Sequence, residues 1–398
     1  MTEEQKNKLS LIGQIYTPSY PIELQELFSG RRKELQQVIQ IISQKGKHIL
    51  IYGDRGIGKT SFANITKLFL DTPTSQIVKI SCSSDDTFES IFYNIFSDLS
   101  YEYEVARTEI GFGKEIIKTD EKVIFSNIYS MESITIPIIQ KVFGILKNPI
   151  IIIDEFDRLE NEKFDKRKFS DLIKTISDNI PYAKFILVGV AEDVSSLIEE
   201  HESIERNLAQ LHLRAMSEDE INDIIEKGEP HLNLKFDNSV KQKINELSSG
   251  YPHFTHSLCY FSTSAAILDN SEVVTNEHLD VAIQQTIDGA HESLRNSFRQ
   301  ATLGTKQNIF QEVLFAATIA PTDEYGYFQA NDLEIPLSEI LGKPMRVFNF
   351  SYHLGKFCSS ERGEIFKISG SKNRHRYKFK NPLMRAFIKL KMDQEINK

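Results

Sequence analysis

Three runs of the chain are apolar without alternation, and each ends on polar residues. "ILIY" at 49–52 leads into Gly53, "PIIII" at 149–153 leads into Asp154 and Glu155, and "AKFILVGVAED" at 183–193 closes on Glu192 and Asp193. Short unbroken runs rich in β-branched side chains predict strands of a parallel sheet buried on both faces. Between them the apolar spacing changes to three and four, as in "FESIFYNIFSDL" (88–99) and "FSDLIKTISDNI" (169–180), which predicts amphipathic helices. This β/α alternation predicts an α/β fold built on a doubly wound parallel sheet. Residues 100–133 fall between the expected second and third strands and predict an inserted loop or hairpin.

After the third run the pattern is helical. Ser217 with Glu220 and Thr275 with Glu277 predict helix starts, and Gly228 and Gly250 predict stops. A small helical lid ending near residue 305 is the natural assignment. From Lys306 onward "KQNIFQEVLFAATIA", "PLSEILGK" and "PMRVFNFSYHLGKFCSS" predict three helices, the last of about four turns. "GEIFKIS", the turn "GSKN" and "RHRYKFK" then predict a β-hairpin, and in "PLMRAFIKLK" a closing helix should bury Leu383, Phe387, Ile388 and Leu390. Three helices followed by a hairpin is the winged-helix order. The expected division is 1–214, 215–305 and 306–398.

The phosphate-binding chemistry sits at the ends of the first two runs. Gly53, Gly58, Lys59 and Thr60 satisfy GxxxxGK[ST] immediately after a strand and before a helix. In such a loop, here Gly53, Asp54, Arg55, Gly56, Ile57 and Gly58, glycines let backbone N–H groups curl around phosphates. Lys59 reaches the terminal phosphates, and Thr60, followed by Ser61, offers a hydroxyl to Mg2+. Asp154 and Glu155 end a central strand, where ligands of such sheets bind. Asp154 suits Mg2+, and Glu155 is placed to orient or deprotonate a water. These residues predict an ATPase that uses ATP, ADP and Mg2+.

Composition changes the picture little, and charge changes it more. With 40% hydrophobic and 26% charged residues the chain is of ordinary globular make-up. Its apolar runs fall far short of the roughly 20 residues that cross a bilayer. The start "MTEEQKNKLS" lacks the apolar segment of a secretory signal, and Cys82, Cys259 and Cys358 show no CxxC spacing, so a cytoplasmic protein without a membrane partner is expected. The formal charge is -9, yet residues 341–398 carry 14 Lys and Arg against 4 Asp and Glu. Arg374, Arg376, Lys378 and Lys380 alternate with His375, Tyr377 and Phe379, which predicts one cationic strand face. With Lys372 at the turn and Arg346 and Lys356 on the third helix, it forms a candidate surface for DNA phosphates. The alternative is that the same cations serve a protein partner or the chain's own acidic part.

Motif order adds a resemblance. "ELFSGRRKELQQVIQIISQKGKHILIYGDRGIGKTS", with Gly30 and Arg31 as a Gly-Arg box, "IIIIDEFDRL" and "ELSSGYPHFTHSL" resemble AAA+ ATPases of the origin-recognition and archaeal initiator type across 22–261. The resemblance implies an AAA+-like P-loop domain, a helical lid, a C-terminal winged helix, oligomerisation and nucleotide-controlled association with DNA. It implies an arginine finger for a neighbouring subunit, and Arg206 in "SIERNL" occupies that region. Two positions depart from the pattern. Glu192 stands where the first sensor is usually Asn or Thr, and His253 stands where the second is usually Arg. "GYP", with Pro252, instead looks like the Gly-x-Pro element of STAND signalling ATPases, where the proline lies near the adenine. That likeness implies slow hydrolysis and an alternative role: an ADP-held signalling switch, as in phage defence, whose winged helix binds protein.

Overall fold

The computed structural model describes residues 1–18, 28–108, 116–160, 162–190, 206–303, 309–323, 325–370 and 374–396. By its contacts the chain divides into two compact units. One comprises Arg31–Gly53 and Lys59–Leu213; the other comprises Met1–Gly30, Asp54–Gly58 and Arg214–Lys398.

The first unit is built on β1 (His48–Gly53), β2 (Gln76–Ser81), β5 (Pro149–Asp154), β6 (Lys184–Gly189) and β7 (Leu208–Leu213). They form a parallel sheet in the order β2-β5-β6-β1-β7. Every residue of β5 and β6 is buried, which is why unbroken isoleucine and valine runs suit these central positions. Phe92, Phe96, Phe143, Phe169 and Phe185 fill the core where flanking helices cover one sheet face. The expected inserted segment is an antiparallel pair, β3 (Ser100–Thr108) with β4 (Ile116–Ile124). The polar end of the third apolar run, Glu192 and Asp193, lies outside the described residues.

The second unit is mainly helical. Ser217 caps the helix Glu218–Leu232 in a capping box with Glu220, as its spacing predicts. Gly228 is not a stop, however: the helix runs through it and through Pro230 to Asn233 in the left-handed region. The missing side chain of Gly228 instead admits the Tyr16 phenol, which donates to the Ile225 carbonyl at 2.9 Å. Ser249 and Gly250, both at positive φ, do end the helix Asn238–Ser248. Beside β8 (Lys235–Phe236) runs β9 (Val273–Val274), a short parallel pair.

After residue 309 come helices Phe310–Ile319, Glu334–Leu341 and Val347–Phe357. The third has 11 residues, about three turns, because the chain is extended at Arg346, which serves as its N-cap. β10 (Phe328–Gln329), which the sequence pattern does not reveal, joins β11 (Phe366–Ser369) and β12 (Arg376–Phe379) in the antiparallel order β10-β12-β11. Phe328, Phe366, Tyr377 and Phe379 pack their rings on one side of this sheet. The last helix, Leu383–Ile396, buries Leu383, Phe387, Ile388 and Leu390. Its Arg385 guanidinium donates to the carbonyls of Thr318 and Ala320 at 2.9 and 3.0 Å, satisfying the open end of Phe310–Ile319.

Candidate functional site

The parallel sheet brings the predicted phosphate and metal residues to the C-terminal ends of its strands. β1 ends at Gly53, and the helix Lys59–Leu70 begins with Lys59 and Thr60, followed by Ser61. Lys59 Nζ donates to the Gly53 carbonyl at 3.1 Å, spanning the loop from its end to its start. Gly56 and Gly58 have φ of 80° and 89°, so the loop needs residues without a Cβ at those positions.

β5 delivers Asp154 and Glu155. Asp154 is almost fully buried; its Oδ1 accepts from the Glu155 N–H at 2.9 Å. Its Oδ2 has no hydrogen-bond partner but lies 3.0 Å from Lys79 Nζ on β2. The Lys79 ammonium meets this oxygen as an ion pair. Glu155 adopts φ 56°, a strained left-handed conformation for a side chain of its type, and its Oε1 lies 3.0 Å from Arg158. Asp157 Oδ1 accepts from the Val190 N–H at 3.1 Å, tying the turn after β5 to the end of β6. Cys82 donates its N–H to the Asp154 carbonyl, and burial, then Asp86 and Asp154, push its thiol up, so it stays protonated. Arg206 is exposed, and its carbonyl accepts from Lys47.

These donors fit a magnesium-bound nucleotide. A hydroxyl at Thr60 and a buried carboxylate at Asp154, whose Oδ2 has no hydrogen-bond partner, are the hard oxygen ligands that Mg2+ takes.

The loop residues Asp54–Gly58 belong by contacts to the second unit. Asp54 Oδ1 accepts from Lys378 Nζ on β12 at 2.8 Å, and its Oδ2 accepts from the Tyr251 hydroxyl at 3.4 Å. Burial, then the Asp54 charge, holds the Tyr251 phenol far above its usual range, so it remains a donor. At Gly56 a Cβ would come within 2.6 Å of the Leu383 side chain, and at Gly58 one would meet Pro252 at 3.8 Å. Pro252 and His253 open the helix Pro252–Leu268. The His253 Nδ1–H donates to the Pro18 carbonyl at 2.7 Å, and burial lowers the ring's pKa, so His253 is neutral near pH 7.

The predicted nucleic-acid residues are met mostly by the chain's own acids. Arg346 pairs with Glu334 at 2.9 Å, Lys356 with Glu361 at 2.6 Å, Arg376 with Asp323 at 3.3 Å and Lys378 with Asp54. Arg374 is exposed, and Lys372 lies outside the described residues. Arg55 is exposed and Ile57 buried within the loop. Sequence reasoning missed Lys79, Arg158 and Tyr251. A lysine between Val78 and Ile80 in an apolar run was the available signal for the first, and the three-residue spacing from Glu155 for the second.

Residues 18–313 match the family described as Novel STAND NTPase 1. No curated protein matches the chain in sequence. Among solved structures, the Walker-type ATPase paby2304 of Pyrococcus abyssi is similar at 14% identity and TM-score 0.52, covering 93% of this chain and 98% of that one. The ORC2 protein of Aeropyrum pernix, in its ADPNP-ADP complexes, is similar at 13% identity and TM-score 0.51, covering 97% and 98%. The fold is thus that of a P-loop AAA+ ATPase of the origin-recognition type.

Proposed function

The chain belongs to the Novel STAND NTPase 1 family, and on that premise we propose that it is a nucleotide-controlled switch that binds and slowly hydrolyses ATP. In this reading the residues of the GxxxxGKT motif cradle the phosphates, and Lys59 meets their terminal charge. Thr60 and Asp154 hold Mg2+, which would supply charge neutralisation on the phosphates. Glu155 orients the attacking water once it leaves Arg158, and Arg206 serves the site of a neighbouring copy. His253, neutral, cannot act as a cationic sensor, which favours a long-lived ADP state.

The observation that carries the proposal is the grip of residues 251–252, 378 and 383 on the phosphate loop. Lys378 and Tyr251 hold Asp54, and Leu383 lies against Gly56. We read residues 309–396 as a winged helix whose cations hold the resting form rather than face a ligand. ATP in the loop loosens that hold and frees the chain to oligomerise with its own copies or with protein partners.

A second reading, nucleotide-controlled DNA association, is favoured by exposed Arg374 and by the excess of cations in 341–398. The two separate on one experiment: size and duplex-DNA binding of wild type and Glu155→Gln with ATP and with ADP. An ATP-specific oligomer indifferent to DNA supports the switch. An ATP-specific oligomer on DNA, weakening steeply with salt, supports the second reading, and no ATP-dependent change overturns both.

A further inference from the structure

We propose that Lys79 is a built-in counter-cation for Asp154, so that the protein holds ADP without Mg2+ and Mg2+ must displace an ammonium to reach this carboxylate. The inference rests on the nucleotide-site reading above and concerns residues of the parallel sheet alone.

Register sets the geometry. Ser81 is the cross-strand partner of Asp154 and Lys79 the partner of Ile152, so the Lys79 side chain starts two residues back on the same face and extends diagonally to the carboxylate. Its Nζ lies 3.0 Å from Oδ2, with 14% of the lysine and 2% of the aspartate side chain exposed. A bare carboxylate at this depth is costly and would repel a diphosphate beside it. No other group takes this role among the described residues. Arg158 is engaged by Glu155, the Cys82 thiol is protonated, and the Glu155 N–H serves only Oδ1. A lysine within an otherwise apolar strand run, aimed at the oxygen that lacks a hydrogen bond, is therefore more than a solubilising surface residue.

The test is ADP affinity by calorimetry, with Mg2+ and with chelator, for wild type, Lys79→Met and Lys79→Arg. Wild type should lose no more than about threefold on chelation, Lys79→Met about tenfold or more, and Lys79→Arg should follow wild type. A loss of about tenfold or more in wild type, or the same ratio in wild type and Lys79→Met, overturns the proposal. A second readout needs no nucleotide: Mg2+ alone should raise the melting temperature of Lys79→Met by about 4 °C or more and leave wild type unmoved. Equal shifts overturn the proposal. If wild type binds no ADP in either condition, the nucleotide reading falls, while the melting comparison still decides the role of Lys79.

Discussion

Two lysine–aspartate pairs involve residues read as the nucleotide site, and they differ in what it takes to break them. Lys79 and Asp154 stand on adjacent strands of one parallel sheet, with 14% of the lysine and 2% of the aspartate side chain exposed. Lys378 and Asp54 lie 324 positions apart, with 18% and 26% of their side chains exposed. Parting the first leaves an almost fully buried carboxylate without its counter-charge. The second joins the middle strand of a three-stranded sheet to a glycine-rich loop, and its carboxylate is the more exposed of the two. Identical chemistry thus neutralises a buried carboxylate in one place and makes a more readily released tie in the other.

The functional consequence of the acidic pair gives the largest expected effect. Glu155→Gln should lower ATP turnover by about 10²–10⁴-fold while ADP affinity stays within a few-fold, measured by phosphate release and calorimetry. Retained turnover would remove Glu155 from the chemistry and leave only its neighbour Asp154 to compare. Stability sharpens the comparison next. Lys79→Met should cost about 3–5 kcal/mol in denaturant unfolding because it strands a buried carboxylate. Lys378→Met should cost less than Lys79→Met, since Asp54 is more exposed than Asp154 and keeps the Tyr251 hydroxyl as a donor. Equal costs would erase the distinction between the buried and the more exposed carboxylate. The smallest effect belongs to Arg158→Gln. Its pair with Glu155 is half exposed, so freeing the carboxylate should raise turnover only about two- to fivefold.

Much of the first unit was legible because its signals are local. A β-branched run followed by GxxxxGKT, and four isoleucines followed by two acids, announce strand ends with chemistry attached, and β1 and β5 carry them as read. Gly228 misled because a glycine that accommodates Tyr16 looks the same in sequence as one that ends a helix. β10 was hidden because two residues carry no alternation to recognise. The cations of the hairpin were visible, but their partners were not. Spacing places Arg376 and Lys378 on one strand face, and nothing local says that Asp323 and Asp54 await them there. The charge excess therefore pointed toward an external anion, whereas most of the nominated cations meet acids of the same chain.

The central claim is that the C-terminal strand β12 holds the phosphate loop through Lys378. Its most direct test is the dissociation rate of a fluorescent ADP analogue from wild type, Lys378→Glu and Lys378→Arg. The account predicts release about tenfold faster or more from Lys378→Glu, where two carboxylates now face each other, and a near wild-type rate from Lys378→Arg. Release from Lys378→Glu at the wild-type rate would contradict it.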